Sequence, residues 1–256
     1  MQNEINLGFV PTMGALHMGH ISLIKKCNSQ CDKTIVSIFV NKPQFSNKSD
    51  LKKYPKTLKR DIKILNKRNV DYLYLPKDNQ IYPHGRNKNI KIHPFSKKLC
   101  GKFRPGHFLA IVDVVDRFIK IINPKNIYFG EKDMQQLKII TDFIKRNHEK
   151  IRVVPCKTIR EKNGIAFSSR NLLLSLKEKI IASKIYKFLK ISKKDLLRKR
   201  ITLEIIKKKI KTLGVSKIDY IQILDTNKII KPYKKKNKHK IFIAYYLGQI
   251  RLIDNI

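Results

Sequence analysis

The sequence has no run approaching the roughly 20 apolar residues that a membrane-spanning helix needs, so no membrane is expected among its partners. Met1 to Asn6 is too polar and too short for a signal sequence, and the chain is expected in the cytoplasm. Cysteine is scarce. Cys27, Cys31, Cys100 and Cys156 contain no Cys-x-x-Cys pair, and Cys27 with Cys31 stand one helical turn apart, unlike a zinc site. Four reduced thiols are predicted. Acidic residues are scarce too: 19 Asp+Glu face 57 Lys+Arg, a net charge of +38. Such a balance invites a nucleic-acid partner. The cations are spread over the whole chain, however, mostly as Lys among Ile and Asn, without the aromatic interleaving of an RNA-binding surface. Those three residue types share AT-rich codons, so genome composition accounts for the charge and no nucleic acid is expected. There is no internal repeat, and no protein nucleophile stands out.

What is present is a globular chain of 256 residues, 42% of them apolar, enough for one large or two modest domains with a real core. Ile5 to Val10 reads as a buried strand, Pro11 and Gly14 as the turn that ends it, and the stretch from Ile21 as an amphipathic helix. In open α/β sheets such a loop lies at the carboxyl end of a strand, where ligands bind, and the helix start adds unpaired N–H groups. His17 and His20 can point one way from that first turn, with Gly19 admitting a ligand to the backbone. Two surface histidines near a helix start are the plainer alternative.

Thr34 to Val40 is a β-branched run suited to a buried parallel strand. Asn41 and Gln44 at its end offer amides for hydroxyl and carboxylate groups, although turn chemistry beside Pro43 alone accounts for Asn41. Pro55 is predicted in the first turn of a helix reaching Arg68, with Asp61 as a solvated carboxylate or an aid to a hydrated Mg2+. Val70 to Leu75 reads as a third strand. Arg104 and His107 precede a helix over Ala110 to Ile122, where they add to an anion site or lie at the surface.

Asn126 to Gly130 is a strand, and Glu131 opens a helix to Arg146. At that strand tip Lys132 can neutralise phosphate, Asp133 can accept from ribose hydroxyls and Gln136 can reach a second ligand, while Glu131 fits ordinary capping. Thr158 to Asn171 reads as a hairpin turning at Asn163-Gly164, its far arm carrying Ser168, Ser169 and Arg170. Helices rich in Leu, Ile and Lys follow to Leu213, then strands at Ile218–Leu224, Ile241–Tyr246 and 250–256. The Lys234 to Lys240 turn reads as solvent-facing.

His17-Met18-Gly19-His20 resembles the His-x-Gly-His signature of the nucleotidylyl-transferring α/β superfamily. The longer string from Pro11 to His20 resembles the nucleotide loop of the pantothenate synthetase family. Further likeness lies in Gln44-Phe45, Tyr54-Pro55-Lys56-Thr57 with Asp61, Arg104-Pro105 with His107-Phe108, Gly130-Glu131-Lys132-Asp133 with Gln135-Gln136, Ser168-Ser169-Arg170 and the ending Arg251 to Ile256. It covers nearly the whole chain. Departures are Pro43 one place late, Lys56 for arginine, Cys100 for an acidic residue, Ala110 and Asp113 for glycine and threonine, and Phe167 for methionine. Only a few residues precede Ile5, where relatives carry a further helical segment.

The resemblance implies an α/β fold: a Rossmann-like parallel sheet in residues 1–157 and a smaller α+β domain in 158–256. It implies ATP-dependent ligation of pantoate to β-alanine through a pantoyl adenylate, with Mg2+ accompanying the nucleotide, in a cytoplasmic homodimer. ATP would meet Met13, Gly14, Ala15, Leu16, His17, Met18, Gly19 and His20, then Gly130, Glu131, Lys132 and Asp133, then Ile159, Phe167, Ser168, Ser169 and Arg170. Pantoate and β-alanine would meet Asn41, Gln44, Arg104, His107 and Gln136. His17, His20, Lys132 and Arg170 would stabilise phosphate charge during catalysis.

Overall fold

The computed structural model describes residues 5–256, so the reading of Met1 to Asn6 lies mostly outside the described residues. The elements are β1 (Leu7–Thr12), α1 (Met18–Asn28), β2 (Lys33–Ile38), α2 (Lys48–Lys53), α3 (Leu58–Asn66), β3 (Tyr72–Tyr74), α4 (Asp78–Ile81), α5 (Cys100–Phe103), α6 (His107–Ile122), β4 (Asn126–Gly130), α7 (Met134–Asn147) and β5 (Arg152–Cys156), then α8 (Leu176–Leu197), α9 (Leu203–Thr212), β6 (Lys217–Asp225), β7 (His239–Leu247) and β8 (Ile250–Asn255). They fall into two compact units, Met1–Thr158 and Ile159–Ile256. None of the described helices is long and apolar enough to cross a membrane.

In the first unit five strands lie in the order β3-β2-β1-β4-β5, every pairing parallel. The central strands are apolar toward both faces because each face is covered by helices. Val10 joins Leu23, Ile24 and Cys27 of α1 and Leu65 of α3 in one core, while Phe9 meets Phe118 of α6 edge to face, with ring centroids 5.5 Å apart. Chain order reverses between β1 and β4, which makes the crevice beyond their carboxyl ends the topological switch point of the sheet.

Several local expectations change. The helix predicted with Pro55 in its first turn begins only at Leu58, as α3, and a separate short helix, α2, ends before it at Lys53: Tyr54 adopts an extended backbone before Pro55, as residues preceding proline prefer. Tyr54 is buried and packs edge to face on Phe45. The third strand is shorter than Val70 to Leu75, and a 3-10 turn at Glu131–Asp133 precedes α7. Strand β5 is not expected from the sequence, because Pro155 interrupts its short β-branched run at Val153 and Val154; it forms at the sheet edge, where a missing N–H is tolerated.

In the second unit β6, β7 and β8 form an antiparallel sheet whose apolar face packs with α8 and α9 through Ile185, Leu189, Ile206, Ile210, Ile241 and Ile243. A capping box of Ser175 with Glu178 starts α8. The hairpin expected over Thr158 to Asn171 reduces to one bridge, Arg160 with Ala166, around a turn in which Gly164 has φ +95°. The far arm instead becomes a 3-10 turn at Ser169–Leu173, because the Ser168 hydroxyl caps it by accepting the Arg170 N–H. A parallel-sheet α/β unit followed by a smaller α+β unit is the fold class expected from the sequence.

Candidate active site

The site is built on the loop between β1 and α1. Thr12 closes the strand by donating its hydroxyl to the Ser37 carbonyl at 2.7 Å. Gly14 and Ala15 then both take positive φ, +76° and +49°, and the chain turns sharply enough to bury Ala15 and Leu16 in the core. The consecutive N–H groups of Ala15 and Leu16 each donate to one oxygen of Asp61, both at 2.9 Å. Asp61 is therefore a buried carboxylate held inside the protein, and the solvated reading is overturned. It occupies the inward face of α3, one turn before the buried Leu65.

His17 is the N-cap of α1, its Nδ1 accepting the Gly19 N–H at 3.1 Å, which places the ring proton on Nε2. Its ring stacks on His20 with centroids 4.0 Å apart and an interplanar angle of 23°. Burial, the facing His20 and the Lys132 ammonium push His17 from 6.5 down to about 2. Burial also brings His20 down to about 4, with Lys132 assisting and the Asp133 and Asp61 carboxylates opposing. Both rings are accordingly neutral at neutral pH. His20 Nδ1 is buried without a hydrogen-bond partner among the described residues.

Lys132 and Asp133 belong to the loop after β4, across the switch point, and the Lys132 ammonium lies 3.2 Å from Asp133 Oδ1. The structure thus brings together His17, His20, Lys132 and Asp133, with Gly130, Glu131 and Gly19 at the same two strand tips. Met18 is exposed at the helix start.

The loop after β2 lies beside them, since Gln44 Nε2 approaches the Met13 sulfur at 3.0 Å. Pro43 is accommodated within a 3-10 turn at Lys42–Gln44. Asn41 is buried and fully used: it donates to the Ala110 carbonyl and to Gln44 Oε1, both at 3.1 Å, and accepts the Tyr82 hydroxyl at 2.7 Å. This anchors the Gln44 side chain and goes beyond turn chemistry. His107 Nδ1 donates to the Gln44 carbonyl at 2.7 Å and Arg104 donates to the same oxygen at 3.1 Å. Arg104 Nη1 also lies 2.9 Å from His107 Nε2, a pairing that needs the neutral Nδ1–H tautomer. Arg104 is half-buried in this clamp and is no surface residue.

Sequence reasoning missed the residues supporting this loop. Arg117 donates to Asp113 at 2.7 Å, to the Ile81 and Gly85 carbonyls, and lies 4.8 Å over the Tyr82 ring. The Asp113 departure is thereby explained: its carboxylate holds Arg117 and accepts the Asn87 N–H at 3.1 Å. Gln136 is half-buried, while its neighbour Gln135 is buried and pins the loop before α5, bonding Phe95, Lys98 and Cys100 backbone groups.

In the second unit Phe167 donates its N–H to the Ile159 carbonyl at 3.1 Å, and Ser169 is buried. Arg160, unremarked in the sequence, grips Asp254 with both guanidinium ends at 2.7 and 2.8 Å and stacks on Tyr186, which stiffens the turn that leads to Ser168 and Arg170.

Among the described residues no group of three or more His, Cys, Asp or Glu could hold a metal ion. With both Asp61 oxygens engaged by backbone, the residues present do not make a protein cage for Mg2+.

The sequence profile of the family described as pantoate-beta-alanine ligase matches residues 1–256. A pantothenate synthetase of Sulfurihydrogenibium is 41% identical over 98% of this chain and 91% of its own length, and one of Endomicrobium trichonymphae is 41% identical over 100% and 91%. Among solved structures, a pantoate-beta-alanine ligase from Francisella tularensis, complexed with beta-gamma ATP and beta-alanine, superposes with a TM-score of 0.85 at 40% identity, covering 100% of this chain and 91% of that one. The pantothenate synthetase of Thermus thermophilus gives 0.86 at 30% identity, covering 98% and 92%.

Proposed function

The chain belongs to the pantoate-β-alanine ligase family and ligates pantoate to β-alanine with ATP; from that premise we propose how its residues divide the work. A carboxylate does not accept an amine directly, because its carbonyl carbon is already electron-rich. Pantoate oxygen attacks the α-phosphorus of ATP, the bond to the pyrophosphate oxygen breaks, and the acyl adenylate carries the activated carbonyl. The free amine of β-alanine then adds to that carbon, the nitrogen gives up a proton to solvent, AMP leaves with the bonding pair of the broken C–O bond, and the amide remains. Neither step requires a protein nucleophile, so catalysis rests on positioning and charge stabilisation.

The observation that carries this reading is the neutral imidazole pair set against Lys132 at the switch point. Neutral rings donate hydrogen bonds to phosphate oxygens without the desolvation cost of two buried cations, and Lys132 supplies the formal charge. Met13 to Leu16 and Gly130 to Asp133 are assigned to the nucleotide, with Asp133 accepting from the ribose. Gln44, held by Asn41 and by the Arg104–His107 clamp, and Gln136 are assigned to pantoate and β-alanine. Ile159, Phe167, Ser168, Ser169 and Arg170 are assigned to the nucleotide on the family resemblance. The nucleotide enters as its Mg2+ complex, the metal held chiefly by the phosphates, and the active form is a cytoplasmic homodimer.

The test is pantoate-dependent exchange of pyrophosphate into ATP. His20→Ala and Lys132→Ala each lose about 2 to 4 kcal/mol of barrier lowering, about thirtyfold to a thousandfold in rate, while remaining folded. Wild-type exchange rates in both variants dismiss the assignment.

A further inference from the structure

We infer that Asp61 is a positioning residue for the nucleotide, an internal anion around which the Gly14–Leu16 loop is wrapped, rather than a metal ligand. The inference rests on the nucleotide reading of that loop.

Three donors converge on one carboxylate. The Ala15 N–H meets Oδ2 and the Leu16 N–H meets Oδ1, each at 2.9 Å, and the Thr57 hydroxyl lies 3.1 Å from both oxygens. Asp61 is 1% exposed, and a carboxylate so deeply buried persists only where such donors replace its water. The loop in turn depends on the carboxylate. Ala15 holds φ +49°, a conformation that L residues other than Asn and Asp seldom adopt, and adjacent Gly14 holds +76°. Two successive N–H groups turned inward in this way form a concavity of the kind that binds anions, and here the protein's own side chain fills it. A Cβ added to Gly14 would stand 3.1 Å from Asp61 Oδ2, so the carboxylate sits directly against the turn.

The consequence is preorganisation. The two amides are committed before any nucleotide arrives, so the loop keeps its shape without phosphate, and His17 emerges at the helix start in a fixed direction. Asp61 acts through the loop and does not touch substrate. Because both its oxygens face protein donors, it is not spare for Mg2+.

Asp61→Asn and Thr57→Val separate these roles. Asp61→Asn keeps the size of the side chain but presents an amide where one N–H needs an acceptor; Thr57→Val removes only the hydroxyl. For Asp61→Asn the expected result is a KM for ATP raised about tenfold to a hundredfold, with KM for β-alanine within about twofold of wild type. The Mg2+ concentration giving half-maximal activity stays unchanged at saturating ATP. Thr57→Val moves KM for ATP in the same direction by about threefold. An unchanged KM for ATP in folded Asp61→Asn overturns the inference, as does a raised Mg2+ midpoint, which marks a metal ligand. Should Asp61→Asn not fold, Thr57→Val decides, and an unchanged KM for ATP there overturns it. Wild-type protein is first titrated with ATP by calorimetry: no binding there refutes the nucleotide reading itself, whereas wild-type binding with equal affinity in the variant refutes only the role of Asp61.

Discussion

At the scale of single residues, the neutral histidines carry a stability cost that pH reveals. His20 in the folded chain is brought down from 6.5 to about 4, so between those values the unfolded chain binds more protons than the folded one. Its contribution is present in full above pH 6.5 and is lost as pH falls toward 4. At about 1.4 kcal/mol per pH unit that loss amounts to about 3 kcal/mol. His20→Gln removes the titration, so thermal denaturation from pH 7 to pH 4 is expected to destabilise wild type more steeply than the variant; parallel curves contradict the assignment. A second residue-scale prediction concerns Gly164, which has φ +95° and where a Cβ would stand 2.3 Å from the Tyr186 ring. Gly164→Ala is expected to lose at least about 2 kcal/mol in denaturant unfolding. The sequence made Gly164 legible as a turn residue, because Asn-Gly is a local signal. It hid Asp61, whose neighbours Lys59, Arg60 and Lys63 mark a solvated helix face; the available signal was its spacing four before Leu65.

At the scale of elements, what the sequence shows best is periodicity within a segment, and what it shows least is pairing across segments. The β1 strand, its loop and α1 could be read from one string because apolar run, Gly14 and the helical pattern are contiguous. Their bounds could not: the strand begins at Leu7 rather than Ile5 and runs through Pro11, which pairs with Ser37, to Thr12, so Gly14 and not the proline makes the turn. Nor could strand β5, since Pro155 interrupts its pattern and only its neighbour β4 supplies the ladder. The same limit applies to α6. Its apolar spacing was legible, but not that Asp113 faces inward to hold Arg117, which reaches the Tyr82–Gly85 segment 32 residues earlier in the chain. Asp113 is 1% exposed, and cutting a buried ion pair from one side leaves the other charge unpaired. Asp113→Ala is therefore expected to lose about 3 to 5 kcal/mol of stability by urea unfolding. Tyr82→Phe removes only the hydroxyl that Asn41 accepts, and is expected to cost about 1 kcal/mol while raising KM for pantoate, because Asn41 holds Gln44. A pantoate KM equal to wild type separates Tyr82 from the substrate loop.

At the scale of the whole molecule, composition and topology were unequally legible. The α/β class followed from alternating strand and helix patterns, whereas the order β3-β2-β1-β4-β5, which creates the switch point, depends on which strands meet in space. The charge of +38 was plain in the sequence, and its physical consequence becomes clear once the carboxylates are located. Many of the 19 acidic groups are taken up in local pairs, such as Asp71 with Lys33, Asp116 with Lys120, Asp254 with Arg160 and Asp219 with Arg251. Most of the 57 basic residues therefore see other cations at long range. Two electrostatic terms then respond oppositely to salt: screening weakens the exposed attractive pairs, worth about 0 to 1 kcal/mol each, and also relieves the repulsion distributed over the surface. With three times as many cations as anions, the repulsive term dominates, and it extends over distances that salt screens most effectively. The melting temperature is accordingly expected to rise by several degrees between about 10 mM and 300 mM sodium chloride, the range over which the Debye length falls from about 30 Å to below 8 Å. Repeating the measurement with sodium bromide distinguishes screening, which follows ionic strength, from specific anion binding. A melting temperature that falls with added salt would mean that the paired carboxylates outweigh the excess of lysine.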